Sequence, residues 1–145
     1  MIFRHYHLNA KERRLRFDAL ARIARACGHL VVLAGGAREA RRWGADGVYG
    51  APDKWRSQPA QGLMLRLVTA HSLHEIGMAQ RLRADAVLLS PVFPTRSHPG
   101  TNVLGPVRFR LLARHAQVPV IALGGVNAHR ARGLKWKKWA AIDGA

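Results

Sequence analysis

The sequence is poor in cysteine, acidic residues and aromatic residues. Cys27 is its only cysteine, which excludes an internal disulfide, so we expect a reducing compartment, the cytoplasm. Aromatic residues make up 7% of the chain, and no apolar run approaches the roughly 20 residues that a membrane span needs. The first residues carry no apolar segment behind a basic start, so we expect neither a secretory signal nor a membrane partner.

The scarcity of acidic residues leaves the chain strongly basic. There are 24 Lys and Arg against 8 Asp and Glu in 145 residues, a formal charge of +16. Such a charge favours anionic partners: phosphates, nucleic acid or an acidic protein. The arginines are spread along predicted helices, which is also what a genome rich in Arg codons produces. The segment "LKWKKWAA" is the nearest approach to a basic aromatic block, and it is short, so nucleic acid is the disfavoured partner.

Apolar runs and amphipathic runs alternate along the chain, which predicts seven strands separated by helices and loops. Short apolar runs such as "HLVVLAGG" are typical of parallel strands buried on both faces. The first helix is predicted to begin after Asn9 and to stop at Gly28. Its apolar face is predicted from helical spacing: Leu15, Ala19, Ile23 and Ala26.

Strands alternating with helices indicate one parallel α/β domain over residues 1–145. An open doubly wound sheet and a (β/α) barrel both fit this pattern. A full eight-unit barrel takes about 200–250 residues, so a chain of 145 residues with seven predicted strands is short for a complete barrel.

The segments that follow the strands carry the residues suited to binding, because ligands of parallel α/β folds bind at the carboxyl ends of strands. After the fifth strand comes "SPVFPTRSHPG", in which Thr95, Arg96, Ser97 and His98 offer hydroxyl, cationic and titratable donors. After the sixth comes Gly124 and Gly125, where the backbone can approach an oxyanion. The sequence therefore predicts a phosphate-binding rim, although a double glycine is also explained by a tight turn.

Several other residues have ordinary structural explanations. The pairs His5 with His7 and His71 with His74 lack partners at zinc spacing, so structural or exposed roles are expected, with His71 as an alternative helix cap beside the rim. Cys27 is expected in the core. The four tryptophans are expected to be packing residues: Trp43, Trp55, Trp136 and Trp139.

The stretch "HSLHEIGMAQRLRADAVLLSPVFPTRSHPG", then "LG" and "VPVIALGGVN", resembles the thiamine phosphate synthase/TenI family. "WGADGVYG" and "IFRHYHL" resemble two earlier strands of that family, and the match is strongest from Thr69 to Asn127. The resemblance implies a (β/α)8, TIM-barrel-like fold that lacks the first βα unit and the last helix. It also implies an activity of thiamine biosynthesis, in which a hydroxymethylpyrimidine diphosphate is joined to a thiazole phosphate and pyrophosphate is released.

The resemblance assigns site residues one by one. Arg4 takes the place of the family's pyrophosphate-binding arginine, Thr69 that of a serine, and His98 that of a lysine, so these three are the expected catalytic residues. The phosphate ligands that it implies are Thr95, Arg96, Ser97, Gly124 and Gly125.

The family's Mg²⁺ is only partly supported by these residues. Ala34 and Gly35 stand where the family has an Asn-Asp pair with the first metal ligand, and Asp53 is left as the expected second ligand. Pro91 replaces the histidine of the tautomerase branch, which speaks against that activity. An inactive phosphate-binding paralogue or regulator is therefore the alternative to a synthase, and a homo-oligomer is left open.

Overall fold

A computed structural model describes residues 1–55, 64–95, 100 and 102–141. Three of the predicted site residues, Arg96, Ser97 and His98, lie outside the described residues. The fold divides into two compact units, Met1–Leu67 and Val68–Ala145. The expectation of one domain over residues 1–145 stays a prediction.

The first unit alternates strands and helices in the predicted manner. Strand β1 pairs in parallel with β2, and β2 with β3; Ile2 is in register with Val32, and Val32 with Gly47. The first half of β4 follows β3 in the strand order. The elements are β1 (Ile2–Phe3), α1 (Ala10–Ala26), β2 (Val32–Ala34), α2 (Ala37–Trp43), β3 (Gly47–Gly50), a 3-10 helix (Pro52–Trp55) and the start of β4 (Leu65–Ala70).

Helix α1 begins where the sequence predicts. The Asn9 side chain accepts a hydrogen bond from the Glu12 N–H at 2.9 Å, which satisfies one of the unpaired donors at the helix start. The helix ends at Ala26, just before Cys27 and Gly28. Cys27 is exposed, so its prediction as a core residue is wrong: it lies beyond the last helical turn.

The predicted apolar face of α1 is also wrong. Leu15 and Ile23 are 62% and 58% exposed. The buried stripe is instead Phe17, Ala21 and Ala24. The reason is packing, because the Phe17 ring lies edge-on to Phe3 with centroids 5.4 Å apart, and small alanines let the helix approach the strands.

The second unit repeats the alternation. Strand β5 pairs in parallel with β6, with Val87 in register with Val120. The seventh predicted strand is reduced, among the described residues, to a parallel bridge between Ala122 and Trp139. The elements are the end of β4, α3 (Leu73–Arg81), β5 (Ala86–Leu89), α4 (Gly105–Ala113), β6 (Val120–Ala122) and α5 (Ala128–Leu134).

The core of the second unit lies between one face of its strands and the helices. Val68, Val87 and Leu89 are fully buried and pack with Phe109 and the other apolar residues of α3, α4 and α5. Because side chains alternate along a strand, Thr69 lies on the opposite face of β4 from Val68. That face is where ligand-directed side chains of the second unit are expected.

Within the described part of the chain, no helix has the length and hydropathy needed to span a membrane.

Candidate phosphate-binding site

The loop after β5 and the turn after β6 are hydrogen-bonded to one another in the second unit. The Val92 N–H donates to the Leu123 carbonyl at 2.9 Å, and the Phe93 N–H donates to the Gly124 carbonyl at 3.0 Å. These bonds continue the pairing of the two strands beyond their ends. The two segments that the sequence singles out are therefore adjacent.

Gly124 and Gly125 are required by this contact. Their φ values are +87° and +62°, a region that residues with a side chain rarely adopt. A Cβ atom on Gly124 would lie 2.7 Å from Pro91, and one on Gly125 would lie 2.8 Å from the Phe93 carbonyl oxygen. The tight-turn explanation of these glycines thus has direct support, and their role as phosphate ligands stays a prediction.

Thr95 is half-buried at the far end of this loop. It follows Pro94, whose carbonyl faces Gly125, so the fold brings Thr95 to the neighbourhood of the double glycine. Thr69 is half-buried on β4. Among the predicted phosphate ligands that the structure describes, Thr95 and the turn at Gly124 and Gly125 lie in the same part of the second unit.

Arg130 belongs to the same rim, and the sequence reasoning missed it. Its guanidinium donates to the Gly125 carbonyl at 2.6 Å and lies 5.3 Å from the centroid of the Phe93 ring. The Asn127 side chain caps α5 by accepting from the Arg130 N–H at 2.9 Å. Its place in the sequence could have predicted this, because an arginine in the first turn of a helix that follows a glycine turn lies beside that turn.

His71 lies where β4 and β5 end. Its Nδ1 is 2.6 Å from the Ser90 carbonyl oxygen, and because a carbonyl only accepts, Nδ1 carries the proton. The helix cap is Ser72, which accepts from the Glu75 N–H at 3.3 Å, so the alternative of His71 as the cap is wrong.

Arg4 lies in the first unit, directly after β1. Its guanidinium is 5.9 Å from the centroid of the Tyr6 ring and 6.0 Å from that of Tyr49. Two aromatic rings hold this cation without neutralising it. It therefore keeps the positive charge that binding of an anion requires.

His5 is strained and partly buried beside Arg4. Its φ is +27°, and its ring stacks on Phe3 with centroids 4.5 Å apart. Its Nδ1 is buried without a hydrogen-bond partner among the described residues. Burial, followed by the charges of His7, Arg16 and Arg13, lowers the pKa of His5 below its ordinary value of 6.5. The neutral ring is therefore the favoured form.

The guanidinium of Arg13, a residue of α1, lies at the carboxyl end of β2. Arg13, whose side chain is 12% exposed, donates to the Ala34 carbonyl at 2.8 Å and to Glu39 at 2.9 Å. A Cβ atom on Gly35 would lie 2.8 Å from the Glu39 carboxylate. The space beside residues 34 and 35 thus holds an internal ion pair.

This donor set does not fit a magnesium ion. Mg²⁺ prefers carboxylate oxygens and water in octahedral geometry, whereas here the nearest carboxylate and carbonyl are occupied by Arg13. No group of three His, Cys, Asp or Glu side chains suited to a metal occurs in the described ranges. Asp53 is exposed on the 3-10 helix and remains a predicted single ligand.

Comparison with known proteins gives a consistent result. The sequence model of a family described as thiamine monophosphate synthase matches residues 1–142. A thiamine-phosphate synthase of Pyrococcus furiosus is 31% identical over 91 residues, which are 61% of this chain and 44% of that protein. One of Bacillus velezensis is 26% identical over 129 residues, 86% of this chain and 58% of that protein. The matches thus span less than two thirds of these curated relatives.

A solved structure shares the fold. Thiamine phosphate pyrophosphorylase from Pyrococcus furiosus superposes with a TM-score of 0.78 at 23% identity, covering 97% of this chain and 70% of that one. The predicted α/β, TIM-barrel-like fold class is confirmed. The alternative of an open doubly wound sheet is set aside by the same likeness.

Proposed function

The chain belongs to the thiamine monophosphate synthase family, and from this we propose that it joins hydroxymethylpyrimidine diphosphate to thiazole phosphate with release of pyrophosphate. The observation that carries the proposal is the rim of the second unit, where Thr95, the turn at Gly124 and Gly125, and Arg130 lie together. A hydroxyl, a glycine turn and a guanidinium are the groups that bind a phosphate monoester. The thiazole phosphate is the substrate we assign to this rim.

The diphosphate substrate needs cations, because its pyrophosphate leaves with the bonding electrons and gains negative charge. Preorganised positive groups stabilise such charge as it develops. Arg4 is the candidate in the first unit, since its guanidinium lies beside the rings of Tyr6 and Tyr49 and no ion pair joins it to a carboxylate of the described residues. Thr69 and His98 are the other two proposed catalytic residues. Arg96 and Ser97 are further proposed phosphate ligands.

We propose no Mg²⁺ site at the end of β2, because the ion pair of Arg13 and Glu39 occupies that place. Asp53 is left as the proposed ligand of any metal that arrives with a substrate. The same observation favours a second candidate function, an inactive paralogue that binds a phosphorylated ligand. For either function, we propose that the protein works in the cytoplasm.

The test is formation of thiamine phosphate by the purified, folded chain given both substrates. We expect product with the unaltered protein, loss of product in Thr95→Ala, and activity in Thr95→Ser, which keeps the hydroxyl. Thiazole phosphate binding without product would establish the inactive paralogue. Absence of both product and binding would overturn both candidate functions.

A further inference from the structure

A cavity of about 490 Å³ lies between α5 and the segment that follows it. Two alanines of α5 form part of its wall, and the remaining lining residues are Arg132, Lys135, Trp136, Lys137 and Trp139. It shares no residue with the phosphate-binding site. Its volume is in the range of pockets that hold small molecules.

The charges in this cavity have one sign. Arg132, Lys135 and Lys137 are exposed, and no carboxylate is among the lining residues. The ion pairs that join two described residues are Arg13 with Glu39, Arg14 with Asp18 and Arg25 with Asp46, so none of them involves a cation of this cavity. Three cations held around one concave surface attract an anion.

Two tryptophans form the aromatic walls, and contacts of its own ring fix one of them, Trp136. The Trp136 indole donates from Nε1 to the Val120 carbonyl at 2.9 Å and lies edge-on to Phe109 with centroids 5.1 Å apart. The backbone at Trp139 forms a parallel bridge with Ala122, and both tryptophans are half-buried and pack on one side against the core of the second unit. A held ring that retains exposed surface, as Trp136 does, suits stacking of a flat ligand, since little ordering is needed on binding.

The backbone is strained at the same place. Lys135 has φ +53° and ψ +43° at the end of α5, a conformation uncommon for a residue with a side chain. Its N–H donates to the Arg132 carbonyl at 3.0 Å, which fixes the turn. The strained turn places Lys135 beside Trp136 in the cavity wall.

We propose that this cavity is a binding site for a planar aromatic ring that carries a phosphate, a mononucleotide by chemical class. The indoles of Trp136 and Trp139 contact the ring, and Arg132, Lys135 and Lys137 bind the phosphate. This nucleotide-binding proposal does not depend on the proposed synthase activity, because the cavity shares no residue with the phosphate-binding site.

Isothermal titration with AMP, adenosine and ribose 5-phosphate tests the site. We expect AMP to bind with 1:1 stoichiometry, and the two partial ligands, which lack the phosphate or the base, to bind at least about tenfold more weakly. The double variant Arg132→Gln with Lys137→Gln should weaken AMP binding at least about tenfold. The double variant Arg108→Gln with Lys138→Gln is the matched control: it removes the same charge from exposed residues outside the cavity wall and should leave AMP affinity unchanged.

Four results would overturn the proposal. These are no AMP binding, an equal loss in the control double variant, loss of binding in Thr95→Ala, and a preference for an oligonucleotide or an acidic peptide over AMP. Equal loss would show general attraction, and loss in Thr95→Ala would show that AMP occupies the phosphate-binding site. A steep salt dependence with an oligonucleotide would indicate a nucleic-acid surface. Because the four substituted side chains are exposed, the variants are expected to fold, and circular dichroism verifies this.

Discussion

Gly125 faces the backbone of Phe93 so closely that a Cβ atom on the glycine would lie 2.8 Å from the Phe93 carbonyl oxygen. The atom in the way is backbone, which is tied to Gly124 by a hydrogen bond of 3.0 Å and cannot swing aside as a side chain does. The geometry of the candidate site thus depends on the absence of one methyl group.

Gly125→Ala is expected to lower the free energy of unfolding by about 2 kcal/mol or more, from the strained φ together with the backbone clash. Gly133→Ala is the matched control, since nothing lies within 4 Å of its added Cβ, and alanine favours a helix over glycine by about 0.5–1 kcal/mol. Urea denaturation of both variants measures the difference. Equal stability of the two variants would contradict the close contact.

Arg13→Met is expected to lower the free energy of unfolding by about 1–2 kcal/mol. The substitution leaves the Ala34 carbonyl and the partly exposed Glu39 without the donor that both share. Arg14→Met breaks the pair with Asp18, whose side chains are 39% and 47% exposed, and should change stability by no more than about 0.5 kcal/mol. Thermal or chemical denaturation that ranks the two variants in the opposite order would refute the assignment of Arg13 as a structural cation.

Arg130→Met is expected to weaken thiazole phosphate binding about tenfold, the scale of one charge-assisted hydrogen bond. Arg130→Lys should recover part of the affinity because it keeps the charge but not the planar guanidinium. Titration calorimetry gives the dissociation constants, and Arg108→Met on the exposed face of α4 controls for net charge. If Arg130→Met binds as tightly as the unaltered chain, Arg130 is not a ligand of the phosphate.

Magnesium is expected to change phosphate affinity by no more than about twofold, since the end of β2 offers an ion pair instead of free carboxylates. The measurement is thiazole phosphate binding with millimolar Mg²⁺ and again with EDTA. A large gain in affinity with Mg²⁺ that disappears in Asp53→Asn would instead establish Asp53 as a metal ligand.

The pKa of His5 predicts a pH dependence of stability. Since burial and the cations around it lower the pKa of the folded state below 6.5, the unfolded chain binds the proton more readily. The contribution of neutral His5 to the free energy of unfolding is therefore fully present above pH 6.5. It is lost as the pH falls through that value toward the folded pKa. His5→Phe, which keeps the stacking on Phe3, should flatten the profile between pH 7 and pH 5, whereas the exposed His7→Gln should do so less. Identical profiles for His5→Phe and the unaltered chain would exclude His5 as the cause.

Local sequence signals predicted the order of elements and several of their ends. Asn9 and its bond to the Glu12 N–H mark the start of α1, because capping depends on residues only three apart. The parallel α/β class followed from buried strands alternating with helices. The quoted motifs led to the family by resemblance, without any three-dimensional information.

Which face of a helix is buried was decided by tertiary packing. Leu15 and Ile23 have helical spacing, yet the Phe3 ring packs against Phe17 on another face. The sequence alone determined the composition, the charge, the main elements and the two segments of the rim. Only the tertiary structure showed Arg13 beside Ala34, the Arg130 guanidinium beside the Phe93 ring, and Trp136 against Val120. The partners in each pair are far apart in the sequence and meet only by folding.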